Sequence, residues 1–319
     1  MAVVGVVGAT GLVGETMIRI LEERSFPVDD LHPFASGNSE GKTVLFRDSE
    51  YPVEIISPEK ISKGMYVFGA TSAETAGTWV PMCRERGAVV IDNSSAYRME
   101  PDVPLVVPEV NGARVTGCEN LLANPNCSTI QLVVALNPLL ALGEISWVNV
   151  CTYQAVSGAG SSALRELSGQ QAGKPAENGP LFHENIVTTI GTPDHHGFCE
   201  EESKLVRETR KIMSREFTLY PSTARVPVRT GHTEAVTLRF ETPVNPDDAI
   251  ELMRSAPGII IGEHSFGPVD VEGMDNIVVT RMRTPPGDPN VLQFWVIADN
   301  LRKGAALNAV QIAEIHMKK

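Results

Sequence analysis

The chain has 319 residues, 42% of them hydrophobic and 21% charged, with a net charge of −12. That length suits two domains, each able to bury its own core, and an acidic balance with no basic run argues against a nucleic-acid partner. Five widely spaced cysteines without a C-x-x-C pair suggest neither a disulfide framework nor a zinc or other metal site. They fit a reducing cytoplasm, and no apolar run reaches the length of a membrane span.

The start, Ala2 to Val7, is apolar, lacks a basic leader and runs into a glycine motif, so it reads as a buried strand. Short buried strands are then expected near Leu31–Ser36, Tyr66–Ala70, Val89–Asp92, Leu105–Val107 and Leu121–Ala123, with helices at Val13–Arg24 and Ala73–Arg86. This alternation predicts a parallel sheet wound with helices on both faces. A long helix opens near Cys127, and it is apolar on most sides and therefore buried.

Beyond it the texture changes. Thr233–Glu241 alternates with period two, Val236, Leu238 and Phe240 sharing one face, and Ile277–Arg283 and Val291–Ala298 have the same look. An antiparallel or mixed sheet covered on one side follows, with helices near Ser161–Gln171 and Glu200–Ser214 and the other sheet face open to a subunit contact. The stretch from Gly169 to Pro180 has the composition of a mobile loop. The tail from Gly304 to Ile315 has helical spacing and is expected to pack back on the first domain.

Gly8, Gly11 and Gly14, with Ala9, Thr10, Leu12 and Val13 between them, follow a strand and open a helix. In that context small residues let the backbone approach a pyrophosphate at the helix N-terminus. After the second strand come Ser36, Asn38 and Ser39, hydroxyl and amide donors placed before the acid Glu40, which favours NADP over NAD. Cys127, after Asn126 at a helix start, sits beside unpaired N–H groups and the positive end of the helix dipole, as a nucleophile should. An acyl-transfer centre also needs a base, a group to orient the carbonyl, and cations. His232, in a polar turn between strands, is the best base among seven histidines, and Arg225 and Arg98 offer planar forks to an anion. Glu201 and Lys204, three apart on a helix, form either a surface ion pair or a hold on an amino group and a phosphate.

Seven blocks in order resemble the aspartate-semialdehyde dehydrogenase family over essentially the whole chain. They are Gly8 to Gly14, Ser94 to Arg98, Val107 to Asn111, Asn124 to Gln131, Gln154 to Gly160, Arg225 to His232 and Asp299 to Ala306. The resemblance implies an α/β protein: an N-terminal Rossmann-type doubly wound sheet, residues 1–126 with a returning helix at 300–319, and a C-terminal α+β catalytic and dimerisation domain, 127–299, like that of glyceraldehyde-3-phosphate dehydrogenase. It implies Cys127 as nucleophile, His232 as acid/base and Gln154 as the group orienting the acyl intermediate. Arg225 and Glu201 would hold the carboxylate and amino ends of the substrate, and Arg98, Lys204 and Asn126 its phosphate side. Gly8, Thr10, Gly11, Leu12, Val13, Gly14, Ser36, Asn38, Ser39, Thr71, Ser72, Ser157, Gly158 and Asn300 would lie along NADP.

The implied reaction is reductive dephosphorylation of L-4-aspartyl phosphate to L-aspartate 4-semialdehyde through a thioester, feeding lysine, methionine, threonine and diaminopimelate synthesis. A homodimer is the implied minimal assembly, with a tetramer open. Two positions depart from the family pattern: Asn38, where many relatives carry arginine, and Thr188, near which a proline is expected. Acyl-phosphate or acyl-CoA reductases acting on N-acetylglutamyl phosphate or malonyl-CoA would share the cofactor domain and the cysteine. A non-catalytic dinucleotide-binding homologue would have lost Cys127 or His232.

Overall fold

The computed structural model describes residues 2–39, 41–177, 179–262 and 265–319. It divides into two compact units, Met1–Asn126 with Ala305–Lys319, and Cys127–Gly304. The last segment therefore rejoins the first unit from Ala305, a few residues later than the Asn300 boundary read from the sequence.

In the first unit the order is β1 (Ala2–Val7), α1 (Leu12–Glu23), β2 (Val28–Phe34), a hairpin of β3 (Thr43–Phe46) and β4 (Ser49–Pro52), then β5 (Tyr66–Gly69), α2 (Ala73–Glu85), β6 (Val89–Asp92), α3 (Pro108–Asn111) and β7 (Leu121–Ala123). Strands β2-β1-β5-β6-β7 form one five-stranded sheet, parallel throughout. The expected strand at Leu105–Val107 is reduced to one bridge, Leu105 to Ala123. The polar hairpin β3–β4 escapes a reading based on apolar runs, since Phe46 is its only fully buried side chain.

Helix α1 buries Met17, Ile18, Ile20 and Leu21 against Val4 and Val6 of β1. The C-terminal helix, Leu307–Met317, completes the same core with Val310, Ile312 and Ala313. It is tied down by polar contacts as well: Asn308 Nδ2 donates to Val106 O at 2.9 Å and Asn124 Oδ1 at 2.7 Å, and Tyr66 Oη meets His316 Nδ1 at 2.8 Å.

The second unit runs α4 (Cys127–Leu139), β8 (Ile145–Gln154), α5 (Ser161–Gln171), α6 (Glu200–Met213), β9 (Thr218–Arg225), β10 (His232–Phe240), α7 (Pro246–Ser255), β11 (Ile259–Ile261), β12 (Ile277–Arg283) and β13 (Val291–Ala298). Its sheet has the order β11-β12-β13-β10-β8-β9, with parallel pairs at both edges and antiparallel pairs between. One face is covered: Val236, Leu238 and Phe240 of β10 are buried there, and α4 packs on β10, β12 and β13 and against α6 and α7. Helix α4 is thus enclosed on several sides, which is why its sequence is apolar nearly all round.

The opposite face carries Tyr153 and Trp295 stacked at 5.8 Å and Trp147 against Tyr220 at 6.5 Å, and Tyr220 is 55% exposed. Among the described residues no helix is long and apolar enough to cross a membrane, and no His/Cys/Asp/Glu group could hold a metal.

Candidate active site

In the first unit the glycine turn divides into positions that packing demands and one that it does not. A Cβ on Gly8, whose φ is +87°, would sit 2.4 Å from Ala70 O, and one on Gly14 would sit 2.2 Å from Gly8 O. On Gly11 the nearest atom would be 3.4 Å away, so the turn is open there. Gly11 also caps α1 without a side-chain bond, which leaves the first N–H groups, from Leu12 onward, to an outside acceptor. An open glycine at an uncapped helix start suits a pyrophosphate.

Ser39 Oγ lies 3.0 Å from Thr10 Oγ1, joining this turn to the loop that follows β2 with Ser36 and Asn38. Glu40 lies outside the described residues. Thr71 Oγ1 accepts from Trp79 Nε1 at 3.1 Å, and Ser72 caps α2 by accepting from Thr75 N, so both have structural duties.

Arg98 is buried and spends donors on the chain itself, Nε to Asn124 O at 2.9 Å and Nη2 to Asn93 O at 2.6 Å. Asp92 shapes the same loop through Ser94, and burial raises its pKa against the opposing pull of Ser94 and Arg98. Asn126 is buried at the end of this unit.

The second unit gathers most of the proposed chemistry at one end of its sheet. Gln154 and Arg225 are register partners at the ends of the parallel strands β8 and β9. Arg225 Nη1 donates to Ala155 O at 2.9 Å and to Gln154 Oε1 at 3.3 Å, while Gln154 Nε2 donates to Glu201 Oε1 at 3.1 Å. Glu201 is buried, and its other oxygen lies 3.5 Å from Lys204 Nζ, so the pair is not the surface ion pair that spacing alone allows.

Burial lowers the pKa of Arg225, and the charges of Cys127 and Glu201 oppose that shift. The nucleophile candidate and the acid thus both act on one buried guanidinium.

His232 corrects an expectation. It is the first residue of β10 rather than a turn residue, and it is fully buried. Its Nδ1 accepts the Ala155 N–H at 3.0 Å, and Nε2 meets no hydrogen-bond partner among the described residues. Burial, then the nearby Arg225, holds its pKa well below the usual imidazole value, with the Gly231 carbonyl opposing. The ring is therefore neutral, and with Nδ1 accepting it carries its proton on Nε2.

Gly158 packs closely against this ring and the guanidinium. A Cβ there would stand 2.7 Å from Arg225 Nη1 and 3.2 Å from His232 Nε2. Ser157 and Asn300, expected along the cofactor, hydrogen-bond each other at 2.9 Å, and Asn300 Oδ1 also accepts from Gly231 N at 2.9 Å, bracing the turn before His232.

Two contributors are not legible as such in the sequence. Gly304 lies beside the thiol residue, where a Cβ would be 3.0 Å from Cys127 Cβ. Ala155 holds His232 through its N–H and Arg225 through its carbonyl. Gly304 stands inside a recognisable block, but only its partner in space gives it meaning. Ala155 acts through backbone atoms, which leave no trace in a residue's identity.

A dinucleotide-type parallel sheet, followed by a unit that sets a cysteine at a helix start near a buried arginine, defines the semialdehyde dehydrogenase class. The family model described as "Semialdehyde dehydrogenase, NAD binding domain" matches residues 3–117, and "Semialdehyde dehydrogenase, dimerisation domain" matches 136–303. An aspartate-semialdehyde dehydrogenase of Aquifex aeolicus is 43% identical over 99% of this chain and 98% of its own. The crystal structure of aspartate semialdehyde dehydrogenase II complexed with ASA from Vibrio cholerae has a TM-score of 0.94 at 38% identity, covering 100% of this chain and 99% of that one. The crystal structure of aspartate semialdehyde dehydrogenase with NADP from Candida albicans has a TM-score of 0.76 at 27% identity, covering 99% and 98%. The chain belongs to the aspartate-semialdehyde dehydrogenase family.

Proposed function

We propose that this protein is an NADP-dependent aspartate-semialdehyde dehydrogenase, converting L-4-aspartyl phosphate to L-aspartate 4-semialdehyde and phosphate, reversibly, in amino-acid biosynthesis. The observation that carries the reading is the buried group of Arg225, Gln154 and Glu201 beside Cys127 and His232. A guanidinium and a carboxylate joined through one amide match the carboxylate and amino ends of a free amino acid. An N-acetylated or CoA-linked acyl group would offer no ammonium for the buried Glu201 to hold.

Cys127, as thiolate at the start of α4, attacks the acyl carbon; the C–O bond to phosphate breaks and a Cys127 thioester remains. NADPH supplies the hydride when bound, and the open turn at Gly8, Thr10, Gly11 and Gly14 with Leu12 and Val13 would hold its pyrophosphate. Ser36, Asn38 and Ser39 offer uncharged donors to a 2′-phosphate, which favours NADP.

Reduction at the thioester carbon places negative charge on the acyl oxygen, and the Nε2–H of His232 donates to it. Gln154 orients the same group. Collapse of the tetrahedral adduct breaks the C–S bond and returns the thiolate with the aldehyde. Arg98, Asn126 and Lys204 are the candidates for the phosphate side, and Thr71, Ser157, Gly158 and Asn300 for the nicotinamide side of the cofactor.

A homodimer built on the aromatic face of the second sheet is the proposed assembly, which light scattering would distinguish from a tetramer. Free cysteines throughout support a cytoplasmic setting. The test is NADPH absorbance on mixing protein with L-aspartate 4-semialdehyde, NADP and inorganic phosphate, with phosphate omitted in the control. Turnover that needs phosphate is expected. Turnover without phosphate, with NAD alone, or only with an N-acetylated or CoA-linked substrate would refute the corresponding part of the proposal.

A further inference from the structure

The segment 180–191, between α5 and α6, takes no part in the mechanism above, yet its backbone reaches both residues proposed to hold the amino-acid substrate. Val187 pairs with Arg225 in both directions: its N–H donates to Arg225 O at 2.9 Å, and Arg225 N donates to Val187 O at 2.8 Å. Further on, Ile190 O accepts from Glu201 N at 3.4 Å. Gly191 then turns with φ at +81°, where a Cβ would stand 2.7 Å from Glu200 Cβ, so the chain passes hard against the start of α6.

The start of this segment is anchored by Gln170, a buried side chain in the last turn of α5. Its Oε1 accepts from Phe182 N at 2.8 Å and His183 N at 3.1 Å, while its Nε2 donates to Pro180 O at 3.1 Å and to Glu166 Oε1 at 3.0 Å. Both ends of the amide are thus in use. From there the turn braces itself: Asn185 N donates to Phe182 O at 3.2 Å and Asn185 Nδ2 to Leu181 O at 2.8 Å, around Glu184 with φ at +55°. A left-handed glutamate persists where its surroundings fix it. Beneath the turn, Phe182 is buried with Val156 and Leu167, and Val187 packs on the same cluster.

We propose that Gln170 is a positioning residue for substrate recognition. Through segment 180–191 it fixes the backbone of Arg225 and Glu201, a role that rests on those two residues being the substrate holders proposed above. A guanidinium fork aimed at a carboxylate tolerates little displacement of the chain that carries it. The turn proposed for the cofactor has anchors of its own, Val156 N donating to Val228 O at 2.8 Å and Ser157 N to Arg229 O at 3.0 Å. Loss of the Gln170 bonds therefore reaches the amino acid before it reaches NADP. An apolar side chain of similar length would fill the same space but leave the N–H groups of Phe182 and His183 without their acceptor.

The test combines amide hydrogen exchange, read by mass spectrometry, with steady-state kinetics on the full-length protein in Gln170→Met, Gln170→Glu and the Gln170→Glu/Glu166→Gln double variant. Cooperative thermal unfolding confirms that each variant is folded. We expect Gln170→Met to speed exchange about tenfold at Phe182 to Val187 and at Arg225, and to raise the semialdehyde KM about tenfold, with kcat and the KM for NADP within about twofold of wild type. Gln170→Glu keeps the acceptor but sets a second carboxylate beside Glu166, so it should share the defect. The double variant restores a donor between the two positions and should recover most of the loss.

Exchange reads the tie to Arg225 whatever the substrate is. A wild-type protein that does not turn over the semialdehyde refutes the proposed function, while exchange in Gln170→Met still decides the role of Gln170. A folded Gln170→Met with wild-type exchange at Val187 and Arg225 overturns the proposal, as does faster exchange with an unaltered semialdehyde KM in active enzyme. Should Gln170→Met not fold, the same results in a folded Gln170→Glu overturn it equally. Equal rises in KM for the semialdehyde and for NADP would mean a general loosening and also refute it.

Discussion

Replacing Gly158 by alanine tests the proposed site with a single methyl group. The ideal Cβ would stand 2.7 Å from Arg225 Nη1 and 3.2 Å from Cε1 and Nε2 of His232. Carbon contacts relax at about 3.5 Å, so the guanidinium must retreat by roughly 0.8 Å or the turn must lift. Nη1 is the atom bonded to Ala155 O at 2.9 Å and Gln154 Oε1 at 3.3 Å, so a shift of that size breaks or stretches both bonds. Hydrogen bonds to a charged group contribute about 1.5–3 kcal/mol. If that stabilisation is needed in the transition state, kcat/KM falls about 10- to 100-fold, at 1.4 kcal/mol per decade. Overpacking itself should lower stability by about 1–3 kcal/mol, well short of unfolding the unit.

The assay is phosphate-dependent NADPH formation on folded protein, with the semialdehyde KM measured separately. A folded Gly158→Ala enzyme within twofold of wild type in both kcat and KM would refute the claim that the Arg225 and His232 geometry serves the reaction.

Gly77, in the interior of α2, is the opposite case: a Cβ there meets nothing within 4 Å, so Gly77→Ala should raise stability by about 0.5–1 kcal/mol in urea unfolding without touching kinetics. Tyr66→Phe removes the 2.8 Å bond to His316 and should cost about 1 kcal/mol in the same measurement, while the hydrophobic seat of the C-terminal helix remains. Burial pushes the Cys83 thiol up to about 12, so in a peptide map at pH 8 it should stay unmodified by iodoacetamide while the exposed Cys118 is labelled. Buried on β10, Glu234 binds its proton more tightly folded than unfolded, so its contribution is greatest below the unfolded value near 4.3 and is lost as pH rises toward the folded value. Between those two values wild type should therefore lose about 1.4 kcal/mol per pH unit relative to Glu234→Gln. Parallel stability curves for the two proteins would rule that out.

Much of this protein is determined locally and is visible without coordinates. The limits of β1, β6, β7, β12 and β13 and of helix α5 were legible from apolar runs, alternation and punctuation by glycine and polar residues, because those signals come from the chain's own period. Cys127 at a helix start is likewise a property of neighbours in sequence. The hairpin β3–β4 and the strands β8 and β9 were not legible, because their pattern mixes polar with apolar residues on half-buried or edge strands.

What only the tertiary structure decided is the environment of each functional group. Sequence placed His232 in a polar turn; pairing with β13 and the Ala155 N–H made it a buried neutral ring. Spacing left Glu201 and Lys204 open between a surface pair and a site; packing of α6 buried the acid and gave it to Gln154. Glu234 and Gln131, 103 residues apart in the chain, become neighbours only when α4 lies on β10. Charge, burial and hydrogen-bond partner are set by atoms distant in the chain, so they exist only once the chain has closed on itself.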